Sequence, residues 1–154
     1  MFHYLGCGLP NVFLKNGYEL IDSPYGKGVT IHDLEGLHNA IGKIIVSSAG
    51  ALTGQEFRFL RTELELSQAM LANLLGCEEQ AVARWEKGKN KRVNAPAERL
   101  LRLLYRESKL GSKNFAPLLK TLQEWECTPA APARKIVARE RADNWSATTE
   151  TAAA

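Results

Sequence analysis

The chain has 154 residues, a net charge of +3, and 45% hydrophobic against 24% charged residues, a balance that excludes collagen-like, wholly disordered and disulfide-scaffold classes. Its longest apolar run, Ile44-Ile45-Val46, falls far short of the ~18 residues that span a bilayer, and Met1–Pro10 lacks the basic start and apolar stretch of a signal peptide. Cys7, Cys77 and Cys127 are odd in number and widely spaced, which suits a reducing compartment, so a cytoplasmic location is expected.

Residues 1–50 read as a small α+β unit of unknown role. Val12–Lys15 and Tyr18–Ile21 flank Asn16-Gly17, a pair that tolerates the positive φ angles of a tight hairpin turn. Gly28–His32 reads as a third strand after the turn Ser23-Pro24-Tyr25-Gly26. Asp33 is placed to cap a helix over 34–46, with Leu34, Leu37, Ile41, Ile44 and Ile45 on one face. Phe2, Tyr4, Phe13, Tyr18 and Tyr25 are read as a small core of this unit, with a partner-binding surface as the alternative.

Residues 51–126 read as a second, helical unit. Thr53 with Glu56 spells a capping box, and Phe57, Phe59, Leu60 and Leu64 give its first helix an apolar side. Ser67 caps a short helix that turns Leu71, Leu74 and Leu75 inward and ends at Gly76. A third helix runs over 78–87 with Ala81, Val82 and Trp85 inward, and Gly88 is expected to stop it in the left-handed conformation. Pro96 suits the first turn of a fourth helix, 96–107, carrying Leu100, Leu101, Leu103, Leu104 and Tyr105. A fifth, Asn114–Glu126, aligns Phe115, Leu118, Leu119, Leu122 and Trp125. It reads as a packing helix, with a dimer-forming helix as the alternative. Residues 127–154 are expected to be a flexible tail, transiently helical over Lys135–Arg141 and disordered over Ser146–Ala154.

Charge is uneven. Residues 1–52 carry a net −1, residues 53–107 a net +2 and residues 108–154 a net +2. Within 84–92, Arg84, Lys87, Lys89, Lys91 and Arg92 face a single acid, Glu86. Such a cluster is either a solvated loop or a surface that neutralises phosphates.

The stretch Leu66–Gly88 places two short helices about a tight turn at Gly76-Cys77, with the small Ala72 where they approach. Ser67-Gln68, Leu71-Ala72, Leu75-Gly76, Val82 and Trp85-Glu86-x-Gly88 resemble the Xre/Cro–phage repressor family over residues 53–107. The resemblance implies a mainly α fold, a five-helix lambda-repressor-like helix-turn-helix bundle, here beside a small N-terminal β-hairpin plus helix. It also implies a homodimer on double-stranded DNA and a sequence-specific transcriptional regulator, a repressor, that needs no cofactor and is no enzyme. Helix 78–87 then enters the major groove. Gln80 and Arg84 fall on base-reading positions, since Gln can pair bidentately with adenine and Arg with guanine. Glu79 either accepts from cytosine or simply favours the first turn of its helix. Gln68, Lys89, Lys91 and Arg92, with Asn94, hold phosphates and set register, and Gln68 can also buttress the recognition helix. Arg58 is either a phosphate contact or solvated. Arg61 and Glu86 match a structural ion pair of the family, with unrelated surface charges as the bland alternative.

Ile31-His32-x-x-x-Gly36-Leu37-His38 ahead of this motif also looks like the MqsA/YgiT class of antitoxin-like regulators. That likeness implies a toxin partner at the N-terminal unit and autoregulation as the alternative function. The paired Cys-x-x-Cys ligands of that class are missing here. His3, Cys7, His32 and His38 do not follow a usual zinc spacing, so no metal is expected. Gly26-x-Gly28 lacks the remainder of a phosphate loop, and a His32/Asp33/His38 enzyme site is the alternative from a different class. Cys77 reads as a packed thiol and Cys127 as exposed.

Overall fold

The computed structural model describes residues 1–88, 93–109, 113, 115–124, 134–142 and 144–151. Among these the chain is mainly helical, with six helices and three two-stranded antiparallel sheets. Met1–Glu124 forms one compact unit and Trp125–Ala154 another. Residues 1–50 and the helices that follow share one core. Leu9 and Ile45 lie in the same buried cluster as Phe57, Leu71, Leu101 and Tyr105. No helix among the described residues is long and apolar enough to cross a membrane.

Strands β1 (Phe2–His3) and β2 (Phe13–Leu14) pair with each other, as do β3 (Tyr18–Ser23) and β4 (Gly26–Ile31). The expected hairpin about Asn16-Gly17 does not form. Gly17 does adopt a positive φ of 78°, but the strands it separates pair elsewhere. Permission for a turn is not a demand for it. The two-residue link Pro24-Tyr25 instead closes β3 onto β4, with Ser23 opposite Gly26 and a Ser23 hydroxyl bond to the Gly26 carbonyl at 2.8 Å.

Helix α1 (Leu34–Ser47) starts at Asp33, whose carboxylate accepts from Gly36 N–H at 3.1 Å. Its buried face is turned from the expected one. Ile45 is buried and Ile41 packs on the core, but Ile44 is 71% exposed and Leu34 is also exposed. The face centres on His38, Gly42 and Ile45. Gly42 lets α5 (Ala95–Lys109) come close, since a Cβ there would lie 1.9 Å from the Tyr105 hydroxyl. His38 sits between Tyr4 Oη (2.9 Å from Nε2) and Glu63 Oε1 (2.7 Å from Nδ1). Neither residue reads as apolar, so the periodicity pointed aside. Arg102 of α5 ties the far end of α1: its guanidinium donates to the carbonyls of Ser48 (2.8 Å) and Gly50 (2.6 Å) and to Glu98 (2.9 Å). A cation at a helix C-terminus meets carbonyls that have no partner within the helix.

Helix α2 (Gly54–Glu63) begins with the capping box, both of whose bonds form. Helices α3 (Gln68–Leu75) and α4 (Glu79–Lys87) follow, then α5 and α6 (Phe115–Glu124). Phe57, Leu60, Leu71, Val82, Leu101 and Leu104 are fully buried between them. Leu103 is 58% exposed because it lies off the face set by Ala97, Leu101, Leu104 and Tyr105. No α6 residue is fully buried, though Phe115 and Leu122 pack against the core. Trp125, which was aligned with them, lies outside the described residues.

In the second unit β5 (Arg134–Arg141) pairs with β6 (Asn144–Thr151). The transient helix expected over 135–141 and the disorder expected from 146 are replaced by strands as far as Thr151. Cross-strand pairs of β-branched residues, Ile136 with Thr149 and Val137 with Thr148, suit a pleated ribbon.

Candidate nucleic-acid interface

Helix α3 ends at Gly76, which takes φ 68°, a left-handed conformation that glycine adopts without the Cβ penalty. The amides of Gly76 and Cys77 return to the carbonyls of Asn73 (3.2 Å) and Ala72 (3.0 Å). The chain is thereby reversed within three residues, and α4 begins at Glu79. Cys77 is half-buried against the core, and burial, helped by the Glu78 carboxylate, pushes its thiol pKa up.

The anchoring of α4 rests on a charged network. Arg61 of α2 grips Glu86 with two nitrogens, Nε to Oε1 and Nη2 to Oε2 at 3.2 Å. The same guanidinium donates to the Leu66 carbonyl at 2.8 Å, in the link to α3. Gln68, the first residue of α3, donates its amide to Glu86 Oε2 at 2.8 Å. Glu86 has a side chain only 4% exposed and is matched by these charged and polar donors, as a buried carboxylate requires. Three helices are thus pinned to one residue. Gly54 completes the joint, because a Cβ there would lie 2.3 Å from the Trp85 carbonyl oxygen. Trp85 meets Phe57 edge-to-face with ring centroids 6.0 Å apart.

With Val82 buried and Trp85 and Glu86 turned inward, the opposite side of α4 presents Gln80, Arg84 and Lys87, all exposed, and Glu79 is exposed in its first turn. Arg58 is also exposed. The structure therefore brings Gln80, Arg84 and Glu79 onto one solvent-facing helix and joins Arg61 to Glu86. It commits the Gln68 amide to holding α4 in place. Asn94 caps α5: its side chain accepts from Ala97 N–H at 3.1 Å. Lys89, Lys91 and Arg92 lie outside the described residues. Gly88 does end α4, but at φ −70° and ψ 109°, an extended conformation open to any residue. The left-handed stop expected there is corrected, since Gly88 ends the helix from the extended region.

The roles of Gly54 and of the Leu66 carbonyl were missed in the sequence. A glycine directly after a capping threonine was the available signal for the first, and the second left none. The four residues weighed for metal are each engaged separately. His3 bonds the Pro10 carbonyl and stacks on Phe13, Cys7 leans on the Tyr4 carbonyl, His32 meets Glu19, and His38 lies between Tyr4 and Glu63. Among the described residues no group of three or more His, Cys, Asp or Glu could hold a metal ion. Asp33 caps α1 while His32 meets Glu19 and His38 lies between Tyr4 and Glu63, so the three are engaged with separate partners. Comparison with protein-family models, curated proteins and solved structures finds no match to this chain.

Proposed function

We propose that the protein is a sequence-specific DNA-binding regulator that represses by occupying its site, with α4 lying in the major groove. One observation carries the reading: α4 is locked from behind by the Arg61–Glu86–Gln68 network while Gln80 and Arg84 stand exposed on its other side. A short helix held by buried polar bonds keeps its outward side chains in fixed register, which base readout needs. The bundle is a five-helix helix-turn-helix in this reading. Arg84 pairs with a guanine, Gln80 with an adenine, and Glu79 sits beside them. Lys87 and the basic run that ends at Arg92 neutralise phosphates. Two copies set their α4 helices ~34 Å apart on a palindromic site.

Selection of bound sequences from a random duplex pool tests this directly, and a two-fold symmetric consensus is the expected result. Arg84→Ala then costs ~1–3 kcal/mol on that consensus and relaxes preference at one base pair. Lys91→Ala weakens all sequences alike and lowers the salt slope by about 1. A pool that yields no enriched sequence overturns the reading.

A further inference from the structure

The β3–β4 hairpin has an unused edge. Ser23 and Gly26 close the two-residue turn, and His32 N–H donates to the Gly17 carbonyl at 2.8 Å at the other end. In an antiparallel ladder the paired residues alternate between bonding each other and facing outward. Here Tyr18, Leu20 and Asp22 on β3, and Lys27, Val29 and Ile31 on β4, direct their backbone groups outward. Among the described residues no further strand bonds to either edge. The same six residues share one face, with Tyr18 opposite Ile31, Leu20 opposite Val29 and Asp22 opposite Lys27. Leu20 is 71% and Val29 38% exposed. A lone two-stranded hairpin is marginally stable, and further strands along an apolar face remedy that.

We propose that the outer edge of β4 binds a second copy of this chain, strand to strand and antiparallel, with Val29 facing Val29 across a two-fold axis. Charge selects this edge. β3 carries Glu19 and Asp22, so pairing β3 with its copy would gather four carboxylates, whereas β4 carries only Lys27. In the proposed register each Lys27 faces Ile31 of the other copy, and the two ammonium groups lie at opposite ends. Leu20, Val29 and their counterparts form one row across four strands, with Gly28 and Thr30 opposed on the other face. The contact is self-complementary and closes at two copies, whereas β3 against β4 would pair unlike edges and propagate. The acidic β3 strands become the outer rims, where charge discourages further addition. This pairing would supply the second copy that the DNA-binding reading calls for, but it is read from the hairpin alone and is tested without DNA.

Sedimentation equilibrium on the full chain is expected to show a concentration-dependent dimer. Val29→Lys sets two cations opposite each other and weakens the dimer by about tenfold or more, with helical circular dichroism unchanged. Ile21→Lys, on the opposite face of the hairpin, leaves the dimer as it was. Val29→Cys joins two chains under mild oxidation while the native cysteines alone and Ile21→Cys do not, because opposed bonded residues hold Cα atoms about 5.5 Å apart, within disulfide reach. If Val29→Lys loses its helical signal, the cysteine pair decides. A wild-type monomer at all concentrations, a Val29→Lys dimer as tight as wild type, or no selective crosslink overturns the proposal.

Discussion

The α2–α5 bundle and the β3–β4 hairpin both carry regular apolar patterns, yet one buries them and the other does not. In the bundle, Phe57, Leu60, Leu71, Val82 and Leu101 meet residues from other helices and vanish from solvent. In the hairpin, Leu20 and Val29 face each other across the two strands and both stay exposed. A helix stripe finds a partner within the same chain through short links. A two-stranded sheet has two faces and two edges and fills none of them by itself. Apolar pattern alone therefore tells which face wants burial, not whether this chain supplies the cover.

That contrast breaks most readily at the bundle's charged hub. Arg61→Ala strips Glu86 of its cationic partner and is expected to cost ~3–5 kcal/mol in denaturant unfolding; a loss under 1 kcal/mol would show the network to be dispensable. Next comes the α1–α5 contact. Gly42→Ala drives a methyl into the Tyr105 hydroxyl and should cost ~1–3 kcal/mol. Tyr105→Phe removes only the hydroxyl and leaves the ring carbon Cζ 2.3 Å from the added methyl, so adding it to Gly42→Ala should restore little of the loss in the same assay.

Alkaline pH probes the same contact. Burial, with the Glu63 carboxylate adding, lifts the Tyr105 pKa from the ordinary 10.0 to about 12. The folded protein thus holds the phenolic proton more tightly than the unfolded chain. Its contribution is complete below pH 10 and is lost as pH rises through about 12. Tyr4, raised by burial in the same direction, adds to the slope. Unfolding followed by pH should show a fall across this window that Tyr105→Phe makes shallower. An identical slope in the variant would remove Tyr105 from the account. The smallest effect belongs to the hairpin tip: Tyr25 is fully exposed, and Tyr25→Ser should shift unfolding by no more than ~0.5 kcal/mol. A larger loss would mean the hairpin is covered in solution.

Local signals made much of the fold readable. Thr53 and Glu56 announced α2, Ser67 and Gly76 bounded α3, and Pro96 lay in the first turn of α5. The capping cues are satisfied by bonds within a few residues, and Pro96 needs none there because the first turn leaves its donor position unused. The candidate site was readable to the extent that its residues share a helix: Gln80 and Arg84, four residues apart, follow from one period. The Asn94 cap was missed because a capping side chain and a phosphate-binding one look alike until the helix start is fixed.

The residue order by itself determined where helices begin and end and which charges cluster near α4, because caps, turns and periodicity act over a few residues. Only the tertiary structure decided that β3 pairs with β4, that His38 and Gly42 belong to the buried face of α1, and that residues 1–50 join the helical core. Those outcomes depend on contacts between distant residues, such as Gly42 with Tyr105 and His38 with Glu63. A glycine is selected for closeness and a histidine for its two hydrogen bonds, and neither property is visible until the partner is in place.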